Sequence, residues 1–147
     1  MLKLLALSIV AILATSTSFA AGLPGQASRN CNIPGNVAIA DAEKSAESPF
    51  LGIFDGKWEK VLPVTLIIYD VSGSKAYGYY AWKDYRQWNV KAGCRAVLGR
   101  IENGVLQFRG DDRMSFTPNG QRLEGVYIFK PGTSEEFIEK GTFSRKR

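Results

Sequence analysis

The amino-acid sequence predicts an all-β protein: an eight-stranded antiparallel up-and-down barrel that follows an irregular N-terminal leader. From Phe50 onward, short runs that alternate apolar and polar residues are separated by turn signals, the pattern of half-buried strands. No run has a long helical period, which disfavours a parallel α/β fold. Sequential runs with short connections favour a closed barrel over an open sandwich, because closure removes exposed sheet edges. The predicted strands cover residues 51–60, 63–70, 76–83, 94–102, 105–110, 113–118, 121–129 and 137–144.

Two Asn-Gly pairs predict tight hairpins and set their register. Asn103-Gly104 and Asn119-Gly120 each lie between alternating runs, and both residue types tolerate the positive φ angles of a type I′ turn. With each pair at the centre of its turn, Ile101 would face Leu106, and Phe116 would face Leu123. The side chains expected to point inward are Leu106, Phe108, Met114, Phe116, Leu123, Tyr127 and Phe129.

The N-terminus has the pattern of a signal peptide over residues 1–20. Lys3 supplies a positive charge, residues 4–14 are apolar, and small residues precede a cleavage site after about Ala20. The apolar run is too short for a membrane span, so we expect an exported protein, periplasmic or secreted, that is not membrane-embedded. Residues 21–49, rich in Gly, Ala, Ser and Pro, are expected to form the leader, and residues 50–147 the barrel domain.

Charge and composition narrow the classes of partner. The chain carries 19 basic and 14 acidic residues, and loss of Lys3 with the signal peptide would reduce its net charge from +5 to +4. These charges are scattered rather than gathered in a stripe, so we expect no nucleic-acid partner. A monomer is expected, without cofactor or metal.

The two cysteines are expected to pair. Cys31 lies in the leader and Cys94 at the start of a predicted strand, and an exported chain meets an oxidising environment. A bond between them would attach the leader to the sheet and stabilise the fold by about 4 kcal/mol. Two unpaired thiols are the alternative. A catalytic thiol is disfavoured, because the chain has no histidine to serve as its base.

A short motif on the first strand gives a resemblance to a known superfamily. Gly56-Lys57-Trp58, followed by a meander of this length, resembles the Gly-x-Trp signature of lipocalins and other calycin barrels. The resemblance implies that Trp58 lies at the closed end of the barrel, with Arg145, or alternatively Arg147, packed across its ring. The chain is also similar to small exported bacterial barrels, a likeness that implies no activity and is carried by Leu62-Pro63, Tyr80-Ala81-Trp82 and Lys91-Ala92-Gly93.

Aromatic residues are the leading candidates for ligand contact. The stretch from Tyr77 to Trp88 holds six of them. Tyr85 and Trp88 are the strongest candidates, because they lie in a polar loop where no strand preference explains them. The remaining candidates are Tyr80, Trp82, Phe108, Phe116 and Tyr127. The structural alternative is that aromatics favour strands in general and that small barrels fill their own interiors.

Little in the sequence supports catalysis. Without histidine, the commonest base for nucleophilic catalysis and the commonest zinc ligand are both missing. Ser72-Gly73-Ser74-Lys75 matches an acylating motif, but it lies in a predicted turn instead of at the start of a helix. Asp111-Asp112 could pair with Glu102 or Glu124 as acid and base, although adjacent acids between strands usually form turns.

These observations favour a non-catalytic binding protein that holds a small, partly apolar ligand in or at the mouth of the barrel. The first alternative is a module that recognises envelope glycan or a partner protein through exposed aromatics. The second is a hydrolase or isomerase that uses carboxylates. A cavity of several hundred cubic ångströms would favour the ligand-binding protein. A filled interior with an exposed aromatic patch would favour the recognition module, and two inward carboxylates that face each other would favour the enzyme.

Overall fold

The computed structural model describes residues 48–146 and shows a closed barrel of eight antiparallel strands in sequential order. Each strand pairs with the next, and the last pairs with the first, which confirms the predicted fold class. The predicted signal peptide, residues 21–47 of the leader, Cys31 and Arg147 lie outside the described residues. The strands are β1 (Gly52–Trp58), β2 (Leu62–Ser72), β3 (Lys75–Trp82), β4 (Gly93–Glu102), β5 (Val105–Arg109), β6 (Arg113–Asn119), β7 (Arg122–Phe129) and β8 (Phe137–Arg145).

Helical structure contributes little to this part of the chain. Within residues 48–146, the one helical segment is the single 3₁₀ turn Arg86–Trp88 in the connection between β3 and β4. In that same range, no helix is long and apolar enough to cross a membrane.

The register predicted for the first Asn-Gly hairpin is confirmed, whereas the register predicted for the second differs from the observed one by two residues. Ile101 pairs with Leu106 as predicted. Phe116, however, pairs with Gly125 rather than with Leu123, because Gly120 and Gln121 occupy the centre of the turn. Gly120 has a φ of 59°, and glycine as the first central residue is typical of a type II′ turn. A shift of two residues preserves the alternation of faces, so the predicted inward row is unchanged.

The two ends of the barrel differ in their connections. The tight turns after β2, β4 and β6 all lie at one end, where Phe50 and Leu51 precede β1 and are buried. The opposite end carries the connections after β1, β3, β5 and β7, including the longer segments 83–92 and 130–136. We call these the plugged end and the open end.

The plugged half of the barrel is filled by its own side chains. Phe54, Phe116 and Phe143 are fully buried, and the rings of Phe116 and Phe143 meet edge to face with centroids 5.2 Å apart. Phe108 contacts Phe116 in the same way at 6.0 Å. Buried Leu66 and Leu106 complete this part of the core. Inside the barrel, space for a ligand therefore lies in the open half.

Arg145 stabilises the plugged end of the barrel. It does not pack across Trp58, which is the arrangement that the calycin resemblance implies. Its guanidinium lies over the ring of Phe54, 4.6 Å from the centroid, and donates hydrogen bonds to the carbonyls of Leu51 and Pro49, the latter at 2.8 Å. The reason is register: Phe54 pairs with Arg145, whereas Trp58 pairs with Gly141 towards the open end. The guanidinium therefore makes a cation–π contact with Phe54 instead of Trp58, and it also caps two backbone carbonyls.

Candidate functional site

A cavity of about 690 Å³ occupies the open half of the barrel. Trp58 forms its floor, and β3, β4, β7 and β8 contribute its walls. The connections after β1, β3 and β5 also contribute lining residues. The volume lies within the range of small-molecule sites in proteins, which is about 300 to 1,000 Å³. The cavity is the natural candidate for a functional site.

The floor is held by a buried hydrogen bond. The indole nitrogen of Trp58 donates to the phenolic oxygen of Tyr80 at 2.6 Å. Burial raises the pKa of Tyr80 to about 12, although the indole donor acts in the opposite direction. Below the indole, the ring of Phe143 makes an edge contact with a centroid distance of 4.9 Å. Trp58 thus separates the filled half of the barrel from the empty half.

Two glycines make room for this tryptophan. A Cβ atom on Gly125 would lie 2.8 Å from the indole Cη2 and 2.7 Å from Phe143 Cε2. At Gly141, which pairs with both Gly125 and Trp58, it would lie 3.0 Å from the indole Cε3 and 2.6 Å from a backbone oxygen. These separations are shorter than ordinary van der Waals contact, so the position of the floor depends on the absence of side chains here.

The connection between β3 and β4 is tied down beside the cavity. The indole nitrogen of Trp82 donates a hydrogen bond to the carbonyl of Lys91 at 2.7 Å, and Asp84 accepts one from the amide of Ala92 at 2.7 Å. Trp88, at the end of the 3₁₀ turn, packs edge to face against Tyr85 with centroids 4.9 Å apart. These contacts hold the loop in place, and Trp88 lines the cavity from it.

The rim is apolar and exposed to solvent. Trp88, Phe137 and Ile138 are 40%, 47% and 56% exposed, and all three line the cavity. Within residues 48–146, Leu98 is the one other large hydrophobic side chain that is strongly exposed. Phe137 stacks on Phe129 of the neighbouring strand with a centroid distance of 4.8 Å. Apolar side chains gathered around a cavity mouth are typical of a binding site.

Two of the carboxylates at the cavity are hydrogen-bonded to the protein. Asp112 accepts a 2.6 Å hydrogen bond from the hydroxyl of Tyr127 and a 3.1 Å bond from the amide of Lys130. Burial, together with this bond and the charge of Asp112, raises the pKa of Tyr127. Glu59 accepts a 2.6 Å hydrogen bond from the amide of Lys140. Both carboxylates thereby fix connections at the open end.

Glu139 is the third carboxylate, and its surroundings differ. It points inward from β8 beside Tyr127, with which it pairs in register, and only 8% of the residue is exposed. Burial raises the pKa of Glu139, and the negative charge of Glu59 raises it further. Among residues 48–146, no group of three or more cysteine or acidic side chains is arranged to hold a metal ion.

Four of the seven sequence candidates line the cavity: Tyr80, Trp82, Trp88 and Tyr127. Tyr85 lies behind Trp88 and contacts its ring, away from the cavity lining. Phe108 and Phe116 lie in the filled half of the core. The structure therefore brings together the aromatic residues of β3, β7 and the 3₁₀ turn, and it separates from them the two phenylalanines of β5 and β6.

Sequence reasoning did not place Glu139, Arg95 or Phe137 at the site. For β8 the sequence does indicate the inward face: Phe137 and Glu139 are separated from the buried Phe143 by an even number of positions, so they lie on the same face of the strand. Arg95 also faces inward, beside its register partner Tyr80. An inward arginine or glutamate breaks the apolar pattern of a strand, and such breaks are expected at functional sites.

Comparisons of the chain with known protein families, with curated protein sequences and with solved structures gave no match.

Proposed function

We propose that this protein is an exported, non-catalytic binding protein that holds a small, partly apolar molecule in the cavity at the open end of the barrel. The observation that carries this proposal is the cavity itself, about 690 Å³ in volume and floored by Trp58. The signal-peptide pattern of residues 1–20 supports export.

The distribution of exposed apolar side chains supports a cavity ligand over recognition of a glycan or protein on a flat surface. Trp88, Phe137 and Ile138 surround the mouth of the cavity and do not form a patch elsewhere on the barrel wall. A ligand that enters the cavity would bury these side chains together with the aromatic walls, and burial of apolar surface is the main source of affinity at such sites.

The state of the carboxylates supports binding over hydrolysis. Asp112 and Glu59 accept hydrogen bonds from Tyr127, Lys130 and Lys140. A two-carboxylate mechanism needs one group to donate a proton and the other to attack or to activate water. Asp112 and Glu59 serve instead to hold the loops in place, which leaves Glu139 alone among the three carboxylates that line the cavity, without a second free carboxylate for such a mechanism.

The test is a titration with N-phenylnaphthylamine, a neutral probe whose fluorescence rises in apolar cavities. Val90→Trp places a large side chain at a half-buried, cavity-lining position and should weaken probe binding at least about tenfold. Val105→Trp, at a half-buried valine near the plugged end, is the matched control and should leave binding unchanged. Binding that is equal in both variants, or absent from the wild-type protein, would overturn the proposal.

A further inference from the structure

The cavity is acidic in a protein that is basic as a whole. The chain has a net charge of +5. The charged side chains that line the cavity are those of Glu59, Arg95, Asp112 and Glu139, so one positive and three negative charges leave a formal charge of −2. Low-dielectric walls strengthen the field of such a cluster inside a cleft. The cavity therefore attracts cations and repels anions.

Glu139 is the carboxylate that has no partner within the described part of the chain. No hydrogen bond or ion pair there satisfies its side chain, whereas Glu59 and Asp112 each accept a hydrogen bond. Only 8% of Glu139 is exposed. Within residues 48–146 no side-chain oxygen is both fully buried and without a partner, so the carboxylate oxygens of Glu139 reach solvent at the cavity. A ligand that donates N–H groups from the cavity would pair them.

The height of Glu139 in the barrel defines where such a donor would lie. On β8, Gly141 is level with the Trp58 floor, Glu139 is one inward position above it, and Phe137 is one further position towards the rim. Alternate residues of a strand are about 7 Å apart. A charged group at Glu139 thus leaves room above it for an apolar body that reaches the rim.

The side chains around Glu139 suit a cation. Tyr127 is its register partner, and both Trp58 and Tyr80 line the same cavity. Aromatic faces attract ammonium and guanidinium groups through their quadrupoles, most strongly in sites withdrawn from water. Arg95 already makes such a contact, with its guanidinium 5.8 Å from the centroid of Tyr80.

Resting on the binding function proposed above, we propose that the cavity selects protonated amines that carry an apolar or aromatic body. The ammonium group donates hydrogen bonds to Glu139 above the indole of Trp58. The body extends past Phe137 to the rim, where Trp88 covers it.

The charge distribution argues against an anionic ligand in the same cavity. Arg95 is the one cationic side chain among the lining residues, and its charge acts on Tyr80, whose pKa it lowers. The negative charge of Glu59 raises the pKa of Glu139, and Asp112 lines the same cavity. A carboxylate or sulfate ligand would meet net repulsion here, while an amine would relieve it.

The test compares three probes of the same shape and different charge by isothermal titration calorimetry near neutral pH. Naphthylmethylamine is cationic, naphthalenemethanol is neutral and naphthoate is anionic. We expect the amine to bind the wild-type protein at least about tenfold more tightly than the alcohol, and naphthoate to bind most weakly. Because this ratio is measured on the wild-type protein, it does not depend on whether any variant folds.

Substitution of the carboxylate locates the effect. Glu139→Gln should reduce the amine-to-alcohol affinity ratio to about one while leaving the affinity for the alcohol unchanged. Asp111→Asn removes one negative charge from an exposed position at the same end, outside the cavity lining, and should leave the ratio as in the wild-type protein.

The outcomes separate this inference from the proposed function. If the alcohol or naphthoate binds as tightly as the amine and Val90→Trp weakens that binding, the amine selectivity is wrong and the binding function stands. An amine preference that survives Glu139→Gln also overturns the inference. If none of the three probes binds while N-phenylnaphthylamine does, the amine selectivity is wrong and the binding function stands. If N-phenylnaphthylamine does not bind either, both proposals fail.

Discussion

The indole nitrogen of Trp58 and the phenolic oxygen of Tyr80 form a 2.6 Å hydrogen bond that joins β1 to β3 inside the barrel. The two strands are not neighbours in the sheet, because β2 lies between them. The bond therefore crosses the interior and locks the floor of the cavity to its wall. Both residues are more than nine-tenths buried, so the loss of either partner leaves a largely desolvated polar group behind.

Tyr80→Phe should lower the free energy of unfolding by about 1–3 kcal/mol, because it leaves the buried N–H of Trp58 without an acceptor. Urea denaturation followed by tryptophan fluorescence measures this change. Tyr79→Phe is the matched control: Tyr79 lies on the opposite face of the same strand, where its ring contacts that of Tyr69. We expect the control to change stability by less than about 0.5 kcal/mol. Equal losses in the two variants would show that the bond contributes nothing.

Arg145→Ala should destabilise the barrel by about 2–3 kcal/mol, because two backbone carbonyls lose a charged donor and Phe54 loses its cation–π contact. Arg145→Lys should recover part of this loss, since one ammonium group cannot reproduce the planar fork of a guanidinium. Urea midpoints at constant slope give the values. Arg122→Ala, at an exposed position near the same end, should have little effect, and a comparable loss there would contradict the assignment.

Gly125→Ala should cost about 1–3 kcal/mol, because the added methyl group would overlap Trp58 and Phe143. The near-ultraviolet circular dichroism of the tryptophans should change as the indole moves. Gly110→Ala is the control, since its added methyl group would have no neighbour closer than 3.8 Å. An unchanged spectrum and stability in Gly125→Ala would mean that the floor is not tightly packed.

Glu139 should make the stability of the ligand-free protein depend on pH. Burial and Glu59 raise the pKa of Glu139 above its ordinary value of 4.5, so the folded state keeps its proton to higher pH than the unfolded chain does. Stability then falls as pH rises from 4.5 through the raised value, because the unfolded state binds fewer protons in that interval. Thermal unfolding over this range measures the slope.

Glu139→Gln removes that slope. The variant should be more stable than the wild-type protein near neutral pH and equally stable below pH 4.5, where the wild-type carboxyl is protonated in both states. Asp111→Asn, at an exposed position, should leave the pH profile as it is. A Gln variant that is less stable at neutral pH would show that the charge of Glu139 is compensated in the folded protein.

The bond between Cys31 and Cys94 stays a prediction, because Cys31 lies outside the described residues. Alkylation of the denatured, unreduced protein should add no label, and mass spectrometry of the intact chain reads this directly. Replacement of both cysteines by serine should lower stability by about 4 kcal/mol. Two labels per chain before reduction would contradict the pairing.

The strands and their faces could be predicted because both depend on local signals. Alternation with a period of two and turn residues such as Asn103-Gly104 act over a few residues, and all eight predicted runs overlap observed strands. The second hairpin shows the limit of this reasoning. Gly120 can occupy either central position of a tight turn, so the pair Asn119-Gly120 predicts a hairpin but not its register.

The cavity and its acidic group could not be predicted in the same way, because they depend on long-range pairing. Which half of the barrel is filled follows from how Phe108, Phe116 and Phe143 meet, and these residues belong to three strands. Glu139 reaches the height of Tyr127 only through the pairing of β7 with β8. Likewise Arg145 meets Phe54 and not Trp58 because of the register between β1 and β8.

The pairing of β1 with β8 has a consequence for biosynthesis. Phe54 and its partner Arg145 lie almost at the two ends of the described chain, so the seam between them cannot form until the last strand has left the ribosome. Until then the nascent polypeptide has two unpaired sheet edges, which can pair with other chains and promote aggregation. Loss of even the last strand would leave an open sheet with unpaired, aggregation-prone edges instead of a smaller closed barrel.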